Sequence, residues 1–176
     1  MTHWPALASL RLETQRLQLR PITIDDIPLI YFLRSDKLVN QYLKRDLMID
    51  RGMAKILVKD FLRLYQEQKL LYWVLDHPAD QQSIGTICLW NFTADRLQAE
   101  VGYEMDPAYH GQGLMGEALY CVLDYGKEGL DLNKIVAYTQ GNNASSIRML
   151  ERSGFCFEPD IHDQNNQLNK VFSIDL

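Results

Sequence analysis

Residues 109–119, YHGQGLMGEAL, carry three glycines in the spacing G-x-G-x-x-G and run straight into an apolar helical repeat. Glycines so placed let a main chain come close to a ligand, because no Cβ stands in the way. The helix that follows has Leu114, Ala118, Leu119 and Val122 on its inner side and Glu117, Asp124 and Lys127 on its outer side. The N–H groups of residues 111–116 therefore sit at the positive end of a helix, where an anion is favoured. Each such contact contributes about 0.3–1 kcal/mol when exposed, so several must act together.

Two familiar phosphate folds fail on context. A dinucleotide fold places its first glycine almost directly after a buried apolar strand and ends the next strand in an acid that holds the ribose. Here the preceding strand carries Glu100 and Glu104, DPAYH intervenes before Gly111, and the following strand ends in Gln140. A nucleoside triphosphate loop needs G-K-[ST], and GLMGEA has no lysine.

The rest of the chain reads as one folded unit. Its 176 residues suit a single domain, with a core over about 10–176 and residues 1–9 as an N-terminal extension. The 47% apolar content is enough for one substantial core, and no apolar run approaches a membrane span. No signal segment is legible at the start, so a cytoplasmic location is expected. Cys88, Cys121 and Cys156 are widely spaced and the four histidines are scattered, so no metal site is expected. A net charge of −5 disfavours nucleic acid as a main partner and mildly favours cations.

Periodicity predicts a strand over 16–22, helices over 23–34 and 50–68, and strands over 70–76, 82–92 and 99–105. After the glycine loop come a helix to about 127, a strand over 134–140, a helix over 143–154 and two closing strands. The order β-α-α-β-β-β-α-β-α-β-β implies an α/β fold with a mixed sheet and helices on its faces.

Set beside its neighbours, the glycine loop resembles motif A of the GNAT superfamily of N-acetyltransferases, R/Q-x-x-G-x-G/A. It reads His110-Gly111-Gln112-Gly113-Leu114-Met115, with His110 and Met115 departing from the pattern at the first and sixth positions. LETQRLQLRPIT, SIGTICL, AEVGYEMDPAYHGQG and NNASSIRMLERSGF are similar, in the same order, to segments of the ribosomal-protein N-terminal acetyltransferase (RimJ/RimL-like) branch. The resemblance implies a mostly antiparallel sheet and acetyl-coenzyme A as donor. It also implies that Gly111, Gln112, Gly113, Leu114, Met115 and Gly116 hold the pyrophosphate through their main chain. Tyr103, Glu104 and Met105 would meet the pantetheine arm, and Asn143 would contact the pantetheine or acetyl end.

Acetyl transfer to an amine needs a neutral amine, an oriented thioester, oxyanion donors and a proton for the departing thiolate. No Ser-His-Asp or Cys-His set is legible, so direct attack in a ternary complex is the simpler route. Glu104 and Glu100 are the base candidates; strand alternation puts them on one face with Gly102 between, about 13 Å apart. Deprotonating an α-amine at pH 7 costs about 1.4 kcal/mol and a lysine about 4.6 kcal/mol, so an N-terminal amine tolerates the weaker base.

Many relatives place a tyrosine, as general acid, where this chain has Leu150. Ser146, on the same helical stripe as Asn143 and Leu150, is the substitute near the sulfur, with a helix-cap role as its alternative. Arg148 and Arg152 read as a solvated face. The acceptor stays open between a protein N-terminus and a small amine, and the chain between monomer and homodimer. Outside catalysis, the competing class is a coenzyme A-binding sensor without turnover, followed by a dinucleotide oxidoreductase.

Overall fold

The computed structural model describes residues 4–176. One eight-stranded sheet runs through it in the order β1-β2-β3-β4-β5-β6-β8-β7. Its strands are β1 (Leu12–Glu13), β2 (Gln18–Pro21), β3 (Leu70–His77), β4 (Gln82–Trp90), β5 (Gln98–Met105), β6 (Lys134–Gln140), β7 (Cys156–Phe157) and β8 (Asn169–Asp175). Every pairing is antiparallel except β5 with β6, so the mixed, mostly antiparallel sheet implied by the sequence is present.

The helices are α1 (Ile27–Ser35), α2 (Lys37–Asn40), α3 (Arg51–Gln66), α4 (Leu114–Leu130) and α5 (Ala144–Arg152). The helix expected over 23–34 begins instead as a 3-10 turn at Ile24–Asp26, where Thr23 and Asp26 form a reciprocal capping box. The four-residue α2 was not expected. Asp36 starts it by accepting the N–H groups of Leu38 and Val39, and so short a helix shows no periodicity. Nor was β1, two residues paired onto β2.

Strand β3 explains the layering. Leu71, Trp73 and Leu75 join the core beneath α4, with Ala118, Leu119 and Val122. Leu70, Tyr72 and Val74 alternate into a second core beneath α1 and α3, with Ile30, Ala54 and Val58. A strand covered on both faces needs no polar side, hence the unbroken LLYWVL. The extension expected over 1–9 lies outside the described residues for its first three. From Trp4 onward it packs on the core, since Tyr65 Oη donates to the Pro5 carbonyl (2.8 Å) and Trp73 Nε1 to the Leu10 carbonyl (2.7 Å).

The feature that positions the site is a fork. β5 pairs with β6 only from Gln98 to Val101. Beyond Val101, β5 runs on to Met105 bonded to β4 alone, while β6 stays with β8 as far as Gln140. The glycine loop and α4 start at the far end of β5, at the mouth of this fork.

Candidate active site

Gly111 and Gly113 both adopt positive φ, +75° and +77°, and Gly113 is the residue from which α4 starts. A β-carbon costs about 1–2 kcal/mol in that conformation, which is why glycine stands at both. The first bond of the helical ladder is Glu117 N–H to the Gly113 carbonyl (3.0 Å). Among the described residues, the N–H groups of Gly111 to Gly116 have no protein acceptor. Gln112 and Gly113 thus present main chain, and the Leu114 side chain is buried beneath them.

The loop is held from below. Arg16 donates through Nη1 to the Gln112 carbonyl (3.0 Å) and through Nε to Glu117 Oε2 (2.8 Å), while the Arg16 N–H meets Glu117 Oε1 (2.8 Å). Thr14 Oγ1 also donates to Glu117. Burial acts to raise the Glu117 carboxyl, yet these bonds from Thr14 and Arg16 hold it below its ordinary value. His110, the departure from motif A, braces the loop: its Nε2 lies 3.0 Å from the Met105 carbonyl, a bond that requires the Nε2–H tautomer. That bond ties the loop to the strand end and engages the Met105 carbonyl, leaving Gly102–Glu104 as the unmatched stretch along the fork.

Across the fork, Asn143 caps α5 by accepting the Ser146 N–H (3.1 Å). Ser146 is buried, and its Oγ lies 2.7 Å from Tyr103 Oη. Burial pushes the Tyr103 hydroxyl up to about 12, against the opposing bond from Ser146. The two hydroxyls therefore bridge β5 to α5, in the gap where β5 and β6 part.

The other face of β5 carries Glu100, Gly102 and Glu104. In register, Gly102 lies opposite Cys88, and a Cβ at Gly102 would stand 3.2 Å from Cys88 Sγ. With no side chain at Gly102, Cys88 and Trp90 form the surface between the two carboxylates.

Their environments differ sharply. The Glu104 side chain is 7% exposed, and both its oxygens are taken: Arg34 Nε donates to Oε1 (3.0 Å) and Arg45 Nη2 to Oε2 (2.6 Å). Among the described residues, Glu100 meets only Asn91 Nδ2, at 3.4 Å. Burial raises the Glu100 carboxyl to about 7, helped by repulsion from Asp163 and opposed by the Asn91 bond.

Sequence reasoning missed Arg34 and Arg45. They come from the last turn of α1 and the loop after α2, 70 and 59 residues before Glu104, and no periodicity links such positions. A charged residue ending the apolar run IPLIYFL was the one available signal for Arg34. Among the described residues, no group of three or more His, Cys, Asp or Glu is placed to hold a metal, and no helix is long and apolar enough to cross a membrane.

A family profile described as an acetyltransferase (GNAT) domain matches residues 16–156. The chain belongs to the GNAT acetyltransferase family. The uncharacterized N-acetyltransferase YoaA of Bacillus subtilis (strain 168) is 33% identical over 144 residues, 82% of this chain and 81% of that protein. Among solved structures, the ribosomal-protein-S5-alanine acetyltransferase from Vibrio fischeri superposes with a TM-score of 0.80 at 22% identity, covering 94% of this chain and 96% of that one. The RimL ribosomal L7/L12 alpha-N-protein acetyltransferase in complex with coenzyme A superposes with a TM-score of 0.77 at 16% identity, covering 95% and 97%. GNAT acetyltransferases take their acetyl group from acetyl-coenzyme A, and the rim of unpaired N–H groups suits the diphosphate of that donor.

Proposed function

We propose that this GNAT acetyltransferase moves an acetyl group directly from acetyl-coenzyme A to a primary amine, with both substrates bound at once. One observation carries the reading: the fork between β5 and β6 opens, at its mouth, onto the unpaired N–H groups of Gly111–Gly116. Those groups hold the diphosphate, and Gly102–Glu104 with Asn143 align the pantetheine arm along the fork. When bound, the coenzyme supplies an acetyl thioester.

Glu100 takes the proton from the amine, directly or through one water. Its raised carboxyl, at about 7, lies close to the ~8 of an α-amine, so the transfer is nearly balanced at neutral pH. Glu104 holds arginines instead. Cys88 stands beside Gly102 but does not carry the acetyl group, because burial pushes its thiol up to about 12 and keeps it protonated. The Tyr103–Ser146 pair faces the sulfur from the coenzyme side, where Ser146 donates a hydrogen bond to the departing thiolate, which takes its proton from water. The acceptor is a peptide N-terminus or a small amine.

The test is release of free thiol from acetyl-coenzyme A with a panel of primary amines between pH 6 and 9. At saturating amine the expected kcat rises through a single inflection near pH 7 and reaches a plateau, while kcat/KM also carries the ionisation of the free amine. Tight coenzyme binding without turnover on any amine would replace the enzyme with a sensor.

A further inference from the structure

The face opposite the coenzyme side is bipolar. At one end, Arg34 and Arg45 share the single carboxylate of Glu104, so two guanidinium groups meet one negative charge. Arg45 donates its Nε–H to Asn40 Oδ1 (2.6 Å), a neutral acceptor, and among the described residues neither arginine has a second carboxylate partner. Their side chains are 20% and 24% exposed, so an incoming group can reach the remaining N–H donors. Burial and the neighbouring Arg34 both disfavour the Arg45 cation, and Glu104 only partly offsets them. Lys44, next in the chain, adds positive charge and donates to the Asn165 carbonyl (3.2 Å), joining this end to the loop that follows β7.

At the other end stand Glu100 and, near enough to repel it, Asp163. Between the ends Gly102 carries no side chain, and Cys88 Sγ and Trp90 Nε1 pack against it, 3.2 and 3.9 Å from where a Cβ would stand. The main chain separates the two ends by about 13 Å along β5, and side chains as long as glutamate and arginine can close several ångströms of that span.

We infer that the acceptor is itself bipolar: a primary amine directed to Glu100 that carries a carboxylate, about 7–13 Å behind it, directed to Arg34 and Arg45. An extended peptide advances about 3.3–3.6 Å per residue, so an acidic residue two or three places from a free N-terminus meets this spacing. A long amino dicarboxylate carries the same chemistry. This inference rests on the acetyltransferase reading and reverses, locally, what the overall charge of −5 suggests about cationic acceptors.

The experiment compares thiol release from acetyl-coenzyme A by the wild-type protein with three matched hexapeptides, bearing aspartate, asparagine or lysine at the second and third positions. Glutamate and 2-aminoadipate are run beside them. The aspartate peptide is expected to exceed the asparagine peptide about ten- to a hundredfold in kcat/KM, the range of a charge-assisted contact. Arg45→Gln should collapse that ratio toward one, with coenzyme binding as the control for folding. Turnover confined to the free amino dicarboxylates supports the inference and identifies a small-molecule source. Equal turnover of the aspartate and asparagine peptides, or preference for lysine, overturns the inference while leaving the acetyltransferase intact. No turnover on any amine overturns both.

Discussion

The glycine rim at the end of β5 and the Glu100–Glu104 face of that strand, proposed above as the coenzyme and acceptor sites, are built from different materials. The rim is main chain from one short segment, 111–116, in which positive φ at Gly111 and Gly113 turns successive N–H groups outward. The proposed acceptor face is made of side chains from α1, the loop after α2, β4 and β5. A rim of N–H groups recognises an anion and cannot distinguish much else, which suits a donor shared by many enzymes. A constellation of charged side chains can be altered one residue at a time, which suits an acceptor that differs between them. Substitutions on the two sides should therefore differ in size.

The largest effect is expected from Gly113→Glu. The new side chain must occupy a left-handed position, its Cβ would lie 3.7 Å from Arg16 Nη2, and its carboxylate would oppose the diphosphate. Losing several helix-end contacts and adding repulsion amounts to roughly 4 kcal/mol, or about a thousandfold in kcat/KM for acetyl-coenzyme A. Titration calorimetry with coenzyme A checks it, and Gly113→Ala separates backbone strain from charge. Unchanged affinity in a folded Gly113→Glu protein would remove the rim from the site.

Next come the two carboxylates, which share a face but not their surroundings. Glu100→Gln is expected to lower kcat about a hundredfold, within the range for a positioned base. It should also abolish the inflection near pH 7, because below that pH the Glu100 carboxyl already holds its proton and cannot accept another. The same raised value has a consequence for stability. Folding penalises the Glu100 anion, so the penalty is full above about 7 and vanishes below the unfolded carboxyl range near 4.3. Glu100→Gln should therefore stabilise the fold at pH 8 and do nothing at pH 4, as thermal melting at the two pH values would show.

Glu104→Gln behaves in the opposite sense. It leaves Arg34 and Arg45 half-buried without their counter-charge, which costs about 1–3 kcal/mol after allowing for solvent. The expected result is a Tm lower by about 3–8 °C and a loss in kcat of about tenfold or less. If instead Glu104→Gln removes the pH 7 inflection while Glu100→Gln keeps it, the two assignments exchange.

The same contrast governs how much of the molecule is legible in its sequence. The glycine spacing, the alternation of Glu100, Gly102 and Glu104, and the stripe from Asn143 to Leu150 are local patterns, and local patterns survive in sequence. Of the two carboxylates, only their shared face was legible, not their different partners. What separates Glu100 from Glu104 is Arg34 and Arg45, brought there by helices that pack on the sheet from far away in the chain. Nor could spacing show that β5 and β6 part after Val101, because pairing length depends on both strands and on what packs between them. His110 illustrates the middle case: visible as a departure from the motif, and explained only by its bond to the Met105 carbonyl.

The smallest expected effect lies at the Tyr103–Ser146 pair, proposed to face the coenzyme sulfur. Tyr103→Phe removes the partner of Ser146 Oγ but leaves the ring packed against the core. One neutral hydrogen bond contributes about 0.5–1.5 kcal/mol, so kcat should fall about two- to tenfold. Because burial holds the Tyr103 hydroxyl up at about 12, its proton stays in place across the working range, and the inflection near pH 7 should be unmoved. A thiolate is a good leaving group, so the reaction needs little help from a hydroxyl at this position. Stopped-flow thiol release across pH distinguishes a loss of amplitude from a displaced inflection. A loss as large as that of Glu100→Gln, or a second inflection, would mean that side chains govern both sides of β5, and the division between rim and face would no longer hold.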